Sequence, residues 1–388
     1  LKTFDRYPLS QTPLNLFLPS TAINPAALDF IRLNLQVQSL TTQDYVTGSI
    51  SRDLGDFKSP MASSPIAVSL GFEYRDESAD YRPDAASQSG ASPGFGPTLP
   101  TRGRYDVSEL FGEAIIPVVE NAPFAESINV ELGYRSSDYS TSGTVESYKY
   151  GADWAPISDI RFRTMFQRAV RAANISELFS PFNAGTGDLL IDPCANGSAG
   201  SPLTGQLRAL CIATGVPQAA IYAGTITQPT SGQVNAFFGG DPNVTPEEAD
   251  TVTFGLVWQP SFLPGLAVTL DYYDITVDNA ISIRPNYDIV DACYNIARNP
   301  TMSAADGDCS IITRNPVSGK IQGDLIYGIE QITQNIGDVH AEGIDYSVRY
   351  EWDLGQWGGL EAALDGTYVM DSSYAPAPDA ARVDCVGH

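Results

Sequence analysis

Long runs in which apolar and polar residues alternate constrain this chain more than any other feature. Ile66, Val68, Leu70, Phe72 and Tyr74 form one run, Ile128, Val130, Leu132 and Tyr134 a second, and Tyr148, Tyr150, Ala152 and Trp154 a third. Val252, Phe254, Leu256 and Trp258 follow, then Leu266, Val268, Leu270 and Tyr272, and finally Ile344, Tyr346, Val348, Tyr350 and Trp352. Residues between them are polar, small or charged, as Glu73 and Arg75 are in the first run and Ser347 and Glu351 in the last. A side-chain period of two belongs to a β-strand with one apolar face. A soluble sandwich shows that pattern too, burying one face and wetting the other. Length separates the two. Globular strands average ~5–6 residues, whereas tilted membrane strands need ~9–11, and many of these runs reach the longer figure. The expected fold is all-β, a transmembrane antiparallel barrel.

Composition narrows the partners. The chain has 388 residues and a formal charge of -24, from 46 acidic and 22 basic side chains. No basic stripe is available to neutralise phosphates, so nucleic acid is not an expected partner. Disorder is excluded by 43% hydrophobic residues with 19 Tyr and 16 Phe. No run approaches the ~20 apolar residues that a membrane helix requires. Contact with a membrane would be made by strands.

The runs and the turn signals between them predict strands near 28–38, 44–54, 65–76, 105–119, 126–137, 144–154, 160–171, 249–259, 265–283, 325–353 and 359–371. Antiparallel neighbours alternate in direction, so every second connection lies on the same side. One side receives 56–64, 120–125, 155–159, 259–264 and 355–358, all short. The other receives 77–104, 172–248, 284–324 and the tail after Ser372, all long. Short turns on one face and long loops outside the cell on the other are the asymmetry of outer-membrane barrels. All five cysteines fall on the long-loop side. Cys194 with Cys211 and Cys293 with Cys309 read as two local disulfides formed in an oxidising compartment, each adding roughly 3 kcal/mol. Cys385 is left single. There is no C-x-x-C, and His340 and His388 are the only histidines, so no zinc site is indicated.

The strand at 160–171 runs into a segment, Phe166 to Pro181, that reads F-Q-R-A-V-R-A-A-N-I-S-E-L-F-S-P. It resembles the run that opens a long extracellular loop in TonB-dependent outer-membrane receptors, with Arg168, Arg171, Asn174, Glu177, Leu178, Phe179 and Pro181 at the matching positions. Gly240–Glu248 resembles the family's N-P-x-L-x-P-E run, with Asp241 where Asn is usual. Leu266–Ile275 with Ala280-Ile281, and Asn335-Ile-Gly with Glu342-Gly-Ile-Asp345, resemble later segments of the same barrel. The resemblance covers residues 65–371. It implies a barrel of the receptor type with about 22 strands, of which this chain holds about half as an open fragment. The whole chain, 1–388, is read as part of the barrel domain; the N-terminal plug domain and the C-terminal strands of the family have no counterpart in it. Cys385 then expects a loop partner beyond His388.

The resemblance also implies a function. Such receptors bind a scarce solute at their extracellular loops (a siderophore–iron complex, haem, cobalamin or a glycan) and import it with energy from the TonB–ExbB–ExbD system acting on the plug. No bond in the solute changes, so neither enzyme activity nor a cofactor is expected. Outer-membrane lipid is the remaining partner. Charges on a lipid-facing surface cost roughly 2–4 kcal/mol near the midplane. Glu73, Glu131, Arg135, Arg161, Arg163, Asp345 and Arg349 are therefore expected to face the lumen, meeting the plug or water.

Catalytic patterns are weak. Gly90-Ala-Ser92-Pro-Gly94 matches G-x-S-x-G, but a nucleophile elbow needs a strand before it and a helix after it. Here the serine sits among Ala, Ser, Gly and Pro, and His340, the one plausible base, falls within a strand. Asp274 and Asp278 would share a strand face, and Asp306 lies near Asp308, yet neither set has EF-hand spacing. The rival to the receptor reading is a secreted all-β carbohydrate-binding module or hydrolase. That rival requires a closed core between two sheets in place of a continuous outer apolar belt.

Overall fold

The computed structural model describes residues 32–91, 96–195, 205–323, 326–377 and 380–387. Its strands are β1 Val37–Asp53, β2 Ala67–Pro83, β3 Thr101–Ala122, β4 Ala125–Tyr139, β5 Gly143–Ile157, β6 Ile160–Arg171, β7 Asn183–Asp188, β8 Gln233–Gly239, β9 Glu247–Trp258, β10 Leu266–Ile283, β11 Ile329–Asp353, β12 Gly359–Ala375 and β13 Val383–Asp384. They form one open 13-stranded sheet in the order β1-β2-β3-β4-β5-β6-β9-β10-β11-β12-β13, while β7 and β8 branch from β11. Every neighbour on the main path is antiparallel. Among the described residues the sheet does not close on itself and no second sheet stacks on it, so the two-sheet rival is not the fold.

The strands are long because both faces have a use along their whole length. β3 has 22 residues and β11 has 25, running unbroken through the segment expected as a single strand. One expectation needs correction. The strands placed at 28–38 and 44–54 are replaced by β1 alone, which starts at Val37; residues 28–31 lie outside the described residues. Its residues 38–43 alternate poorly, yet they pair with Arg82–Glu77 of β2. The partner strand, rather than hydropathy, carries β1 through that stretch. The nucleophile-like Ser92 also lies outside the described residues.

The connections 54–66, 123–124, 158–159, 259–265 and 354–358 share one end of the sheet. At the other end lie 84–100, 140–142, 172–246 and 284–328. The asymmetry expected from the strand parity is present, with the tight 140–142 turn as the one short member of the long side. Register separates the faces as cleanly. Phe72, Trp154, Phe254 and Tyr350 fall on one face with Leu70, Leu132, Tyr150, Phe162, Leu270 and Ile344. This face is apolar and uncovered: Phe72 is 50% exposed, Trp154 42% and Phe254 57%.

The buried core lies elsewhere, in the two longest connections. Helix α1 (Ile175–Phe179), helix α2 (Gly205–Ala213) and helix α3 (Asn286–Tyr294) fold there together with β7 and β8. Leu189, Leu210, Ile221, Ile226, Val234 and Ile289 form the centre of that core, which also takes in Ile321 and Ile329. β8 joins the unit to the sheet by running parallel to the start of β11, Ala236–Gly239 against Ile329–Ile332. Residues expected to be loop thus make a small folded unit seated on the long-loop end.

Candidate functional site

The motif residues meet at one corner, where β6, β9, β10 and β11 leave the sheet. Arg168 ends the apolar face of β6 and holds Asp250 through two hydrogen bonds of 2.7 and 2.6 Å, with Glu248 at 3.4 Å. Three residues on, Arg171 bridges Glu247 at 2.6 Å and Glu177 at 3.0 Å. Asn174 caps α1: its side chain accepts from the Glu177 N–H at 2.9 Å, and Glu177 accepts from the Asn174 N–H at 2.7 Å. This reciprocal box satisfies two donors that a helix start would otherwise leave bare. Leu178 is buried with Ala173 and Val244. Phe179 lies over Gly103 of β3, where any Cβ would run into its ring. The Pro181 carbonyl accepts from the Asn183 side chain at 3.0 Å and starts the next segment.

The later motif segments close the same corner. The second oxygen of Glu247 accepts from the Ile281 N–H at 2.8 Å, beside the irregularity that interrupts β10 between Val277 and Ile281. Asn335 accepts from the Thr245 N–H at 2.8 Å and donates to the carbonyls of Thr245 at 2.7 Å and Asn279 at 2.9 Å. The role of these residues is architectural. They fix the point where four strands hand over to the outer unit. Glu247 is the glutamate of the run at 240–248, whereas Asp250 and Gly103 were not singled out from the sequence, because they contact the motif only across strands.

Cys194–Cys211 and Cys293–Cys309 are disulfides, each within its own connection, and Cys385 is free and exposed. Both bridges sit in the one core that the two connections share. The same core buries a charge pair. Arg314 holds Asp192 at 2.7 and 2.8 Å and donates to the Tyr294 hydroxyl at 3.2 Å and the Gly319 carbonyl at 3.1 Å. The side chains of Arg314 and Asp192 are 0% and 3% exposed. Tyr294 continues the network to Thr214 at 2.7 Å. Asp192 and Thr214 belong to the first connection, Tyr294 and Arg314 to the second, so the polar network ties the two together. At the rim, Asp84 accepts backbone N–H groups of Ser87 and Gln36, which hold its carboxyl below the ordinary value.

All seven charged residues expected inward share the face opposite the apolar one, and α1 packs over that face at Gly103. Each has a partner within the wall. Glu73 pairs with Arg75 at 3.2 Å, Glu131 with Lys149 at 2.8 Å, and Arg135 with Glu109 at 3.0 Å. Arg161 pairs with Asp153, and Arg163 with Asp271 at 2.6 Å. Asp345 accepts from Thr367 at 2.5 Å, and Arg349 lies 3.8 Å from both Glu361 and Asp365. Against β3–β6 this face forms a cavity of about 430 Å³, lined among others by Arg75, Phe111, Arg135, Lys149 and Gln167. Such a wall can hold a polar surface by charge and hydrogen bonding. His340 lies in β11, 3.2 Å from Asp274 and 3.3 Å from Asp371.

A sheet of long strands with one bare apolar face, one charged face and all its elaboration at one end is the wall of an outer-membrane β-barrel. A family model described as TonB dependent receptor-like, beta-barrel, matches residues 4–382, and the chain belongs to that family. TonB-dependent receptor barrels are outer-membrane proteins of Gram-negative bacteria, which places this chain there. Among solved structures, the ferric enterobactin receptor PfeA of Pseudomonas aeruginosa is similar at 15% identity and a TM-score of 0.50, over 88% of this chain and 38% of that one. The siderophore receptor PirA of Pseudomonas aeruginosa shows 14% identity and a TM-score of 0.47, over 87% of this chain and 44% of that one. The chain spans less than half the length of these receptors. No curated protein matches it.

Proposed function

We propose that this chain forms wall and mouth of an active-transport receptor that takes a scarce solute at its outer loops and imports it with energy from TonB–ExbB–ExbD. Family membership supports transport, and the observation that carries the reading is the outer unit. Its two disulfides and buried Arg314–Asp192 pair fix a folded surface over the charged wall at the end where solute arrives. The solute is a siderophore–iron complex, haem, cobalamin or a glycan, and it leaves chemically unchanged. Glu73, Glu131, Arg135, Arg161, Arg163, Asp345 and Arg349 face the lumen. Because each is paired within the wall, they offer a plug domain a compensated polar surface. The receptor is longer than this chain, which we read as part of its barrel domain.

The test is uptake by Gram-negative cells expressing the receptor that contains this chain, with and without functional TonB. Candidates from the four solute classes are supplied in labelled form. The expected result is accumulation of one class that ceases without TonB. Equal accumulation in both strains would identify a passive pore.

A further inference from the structure

We propose that the outer unit carries a recognition groove for an apolar arm of the solute that ends in a positively charged amine. The proposal rests on the transport reading and narrows its solute: whatever else that molecule contains, the part held here is apolar and cationic. The groove lies between the end of β7 and one face of α3 and has a volume of about 410 Å³, within the size range of small-molecule sites. Leu189 and Val290, both buried, form its floor, and Leu190, Ile191, Pro193 and Tyr287 its walls. Leu190 and Ile191 are 80% and 68% exposed, although they are adjacent and aliphatic. The chain holds them out between two anchors. Before them, the Leu189 N–H donates to the Gly232 carbonyl at 2.8 Å and the Leu189 side chain enters the core. After them, Asp192 is buried against Arg314 and its N–H donates to the Gln228 side chain at 2.8 Å. Leu190 also rests against Gly232, where any Cβ would run into its side chain. A wall fixed in advance loses little freedom when a ligand fills it.

The rim carries charge of one sign. Asp188 ends β7, and Asp291 lies one turn after Tyr287 on the same face of α3. Asp188 is exposed and has no ion pair among the described residues. Asp291 meets Arg298 only at 3.4 Å, because that guanidinium holds Asp288 at 2.7 Å. Arg284 is committed to Asp288 and Asp308, and Arg314 to Asp192. Among the described residues no basic side chain lines the groove. An apolar body gains by leaving water, while an amine attached to it meets two carboxylates at the rim. An anion of the same shape meets like charge there, which is how a site rejects a close analogue.

A matched pair of fluorescent probes separates the two contributions. Dansyl-cadaverine joins an apolar ring system to an amine, and dansyl-aminohexanoate joins the same rings to a carboxylate. Each is titrated into the full chain held in micelles of a neutral detergent, with empty micelles as the reference, and the saturable rise in dansyl emission reports binding. The cationic probe should bind several-fold more tightly than the anionic one, and the gap should narrow as salt screens the exposed rim. Asp188→Asn should weaken the cationic probe alone, and Asp188→Lys should reverse the order. Leu190→Ser should weaken both probes alike while the preference for the cation persists, which shows that the unit is still folded. Equal binding of the two probes, or a preference untouched by Asp188→Lys, would overturn the proposal. Absence of saturable binding would overturn it too and leave the groove as a contact for other loops of the receptor. Binding is read without TonB, so its failure leaves TonB-dependent uptake standing, and failure of uptake leaves the measured preference standing.

Discussion

Arg314 shows how one side chain can decide the state of a whole surface. Its guanidinium is fully buried, spends four hydrogen bonds and joins both long connections through Asp192 and Tyr294. Removing one member of a buried pair leaves the other charge without compensation, at roughly 3–5 kcal/mol. Arg314→Met should therefore destabilise the outer unit by about that amount, seen as faster amide exchange across α2 and α3 while the sheet is unaffected. Asp192 and Arg314 are far apart in sequence and carry no spacing signal, so the pair was not legible before folding. At the opposite end, Asp159 accepts the Ser261 N–H at 2.7 Å and joins two neighbouring short turns. That bond, first among its causes, holds the Asp159 carboxyl below its usual 3.8. A depressed pKa gives stability that is present above the ordinary value and lost as the pH falls through the folded one. Exchange at the Ser261 amide, corrected for its intrinsic pH dependence, should rise as the pH drops below about 4. Asp159→Asn should remove that extra rise; a rise that persists in the variant would assign it to another group.

At the scale of elements, legibility follows how local the cause is. Strands β2–β6 and β9–β12 were readable because lipid on one side and charge on the other impose alternation residue by residue. The outer unit was not: α2 and α3 have nine residues each, too short for a clear helical period, and β7 and β8 gain their pairing only from each other and from β11. The cysteine pairs were visible, yet nothing in their spacing showed that both would enter one core. Helix α1 lies between these cases. Its cap was present in the motif as Asn174 and Glu177, whereas its seat on Gly103 was not. Leu178, 2% exposed, packs on Ala173 and Val244, so Leu178→Ala should open the corner by about 2–5 kcal/mol. Gly103→Val should act in the same direction by displacing Phe179. Amide protection at Leu178 and Ser180 measures both, and unchanged protection in either variant would separate α1 from the corner.

For the whole molecule the faces and edges of the sheet decide behaviour. The apolar belt shows Phe72, Trp154 and Phe254 half-bare, and among the described residues β1 pairs on one side only, its 17 residues almost entirely exposed. A bilayer covers a belt of that kind; water does not, and large exposed apolar surfaces associate. Unpaired strand edges template further pairing. The inward charges do not counter this, because they are paired with one another on the opposite face. Residues 1–388 expressed alone should consequently need detergent or lipid to remain dispersed. Size-exclusion chromatography checks this directly: without detergent the chain should elute as large, heterogeneous species, and with detergent as a defined protein–micelle particle. A sharp monomer peak in plain buffer that unfolds cooperatively would show that the belt is buried by the chain itself. The wall would then be a soluble sheet, and the outer-membrane assignment would fall with it.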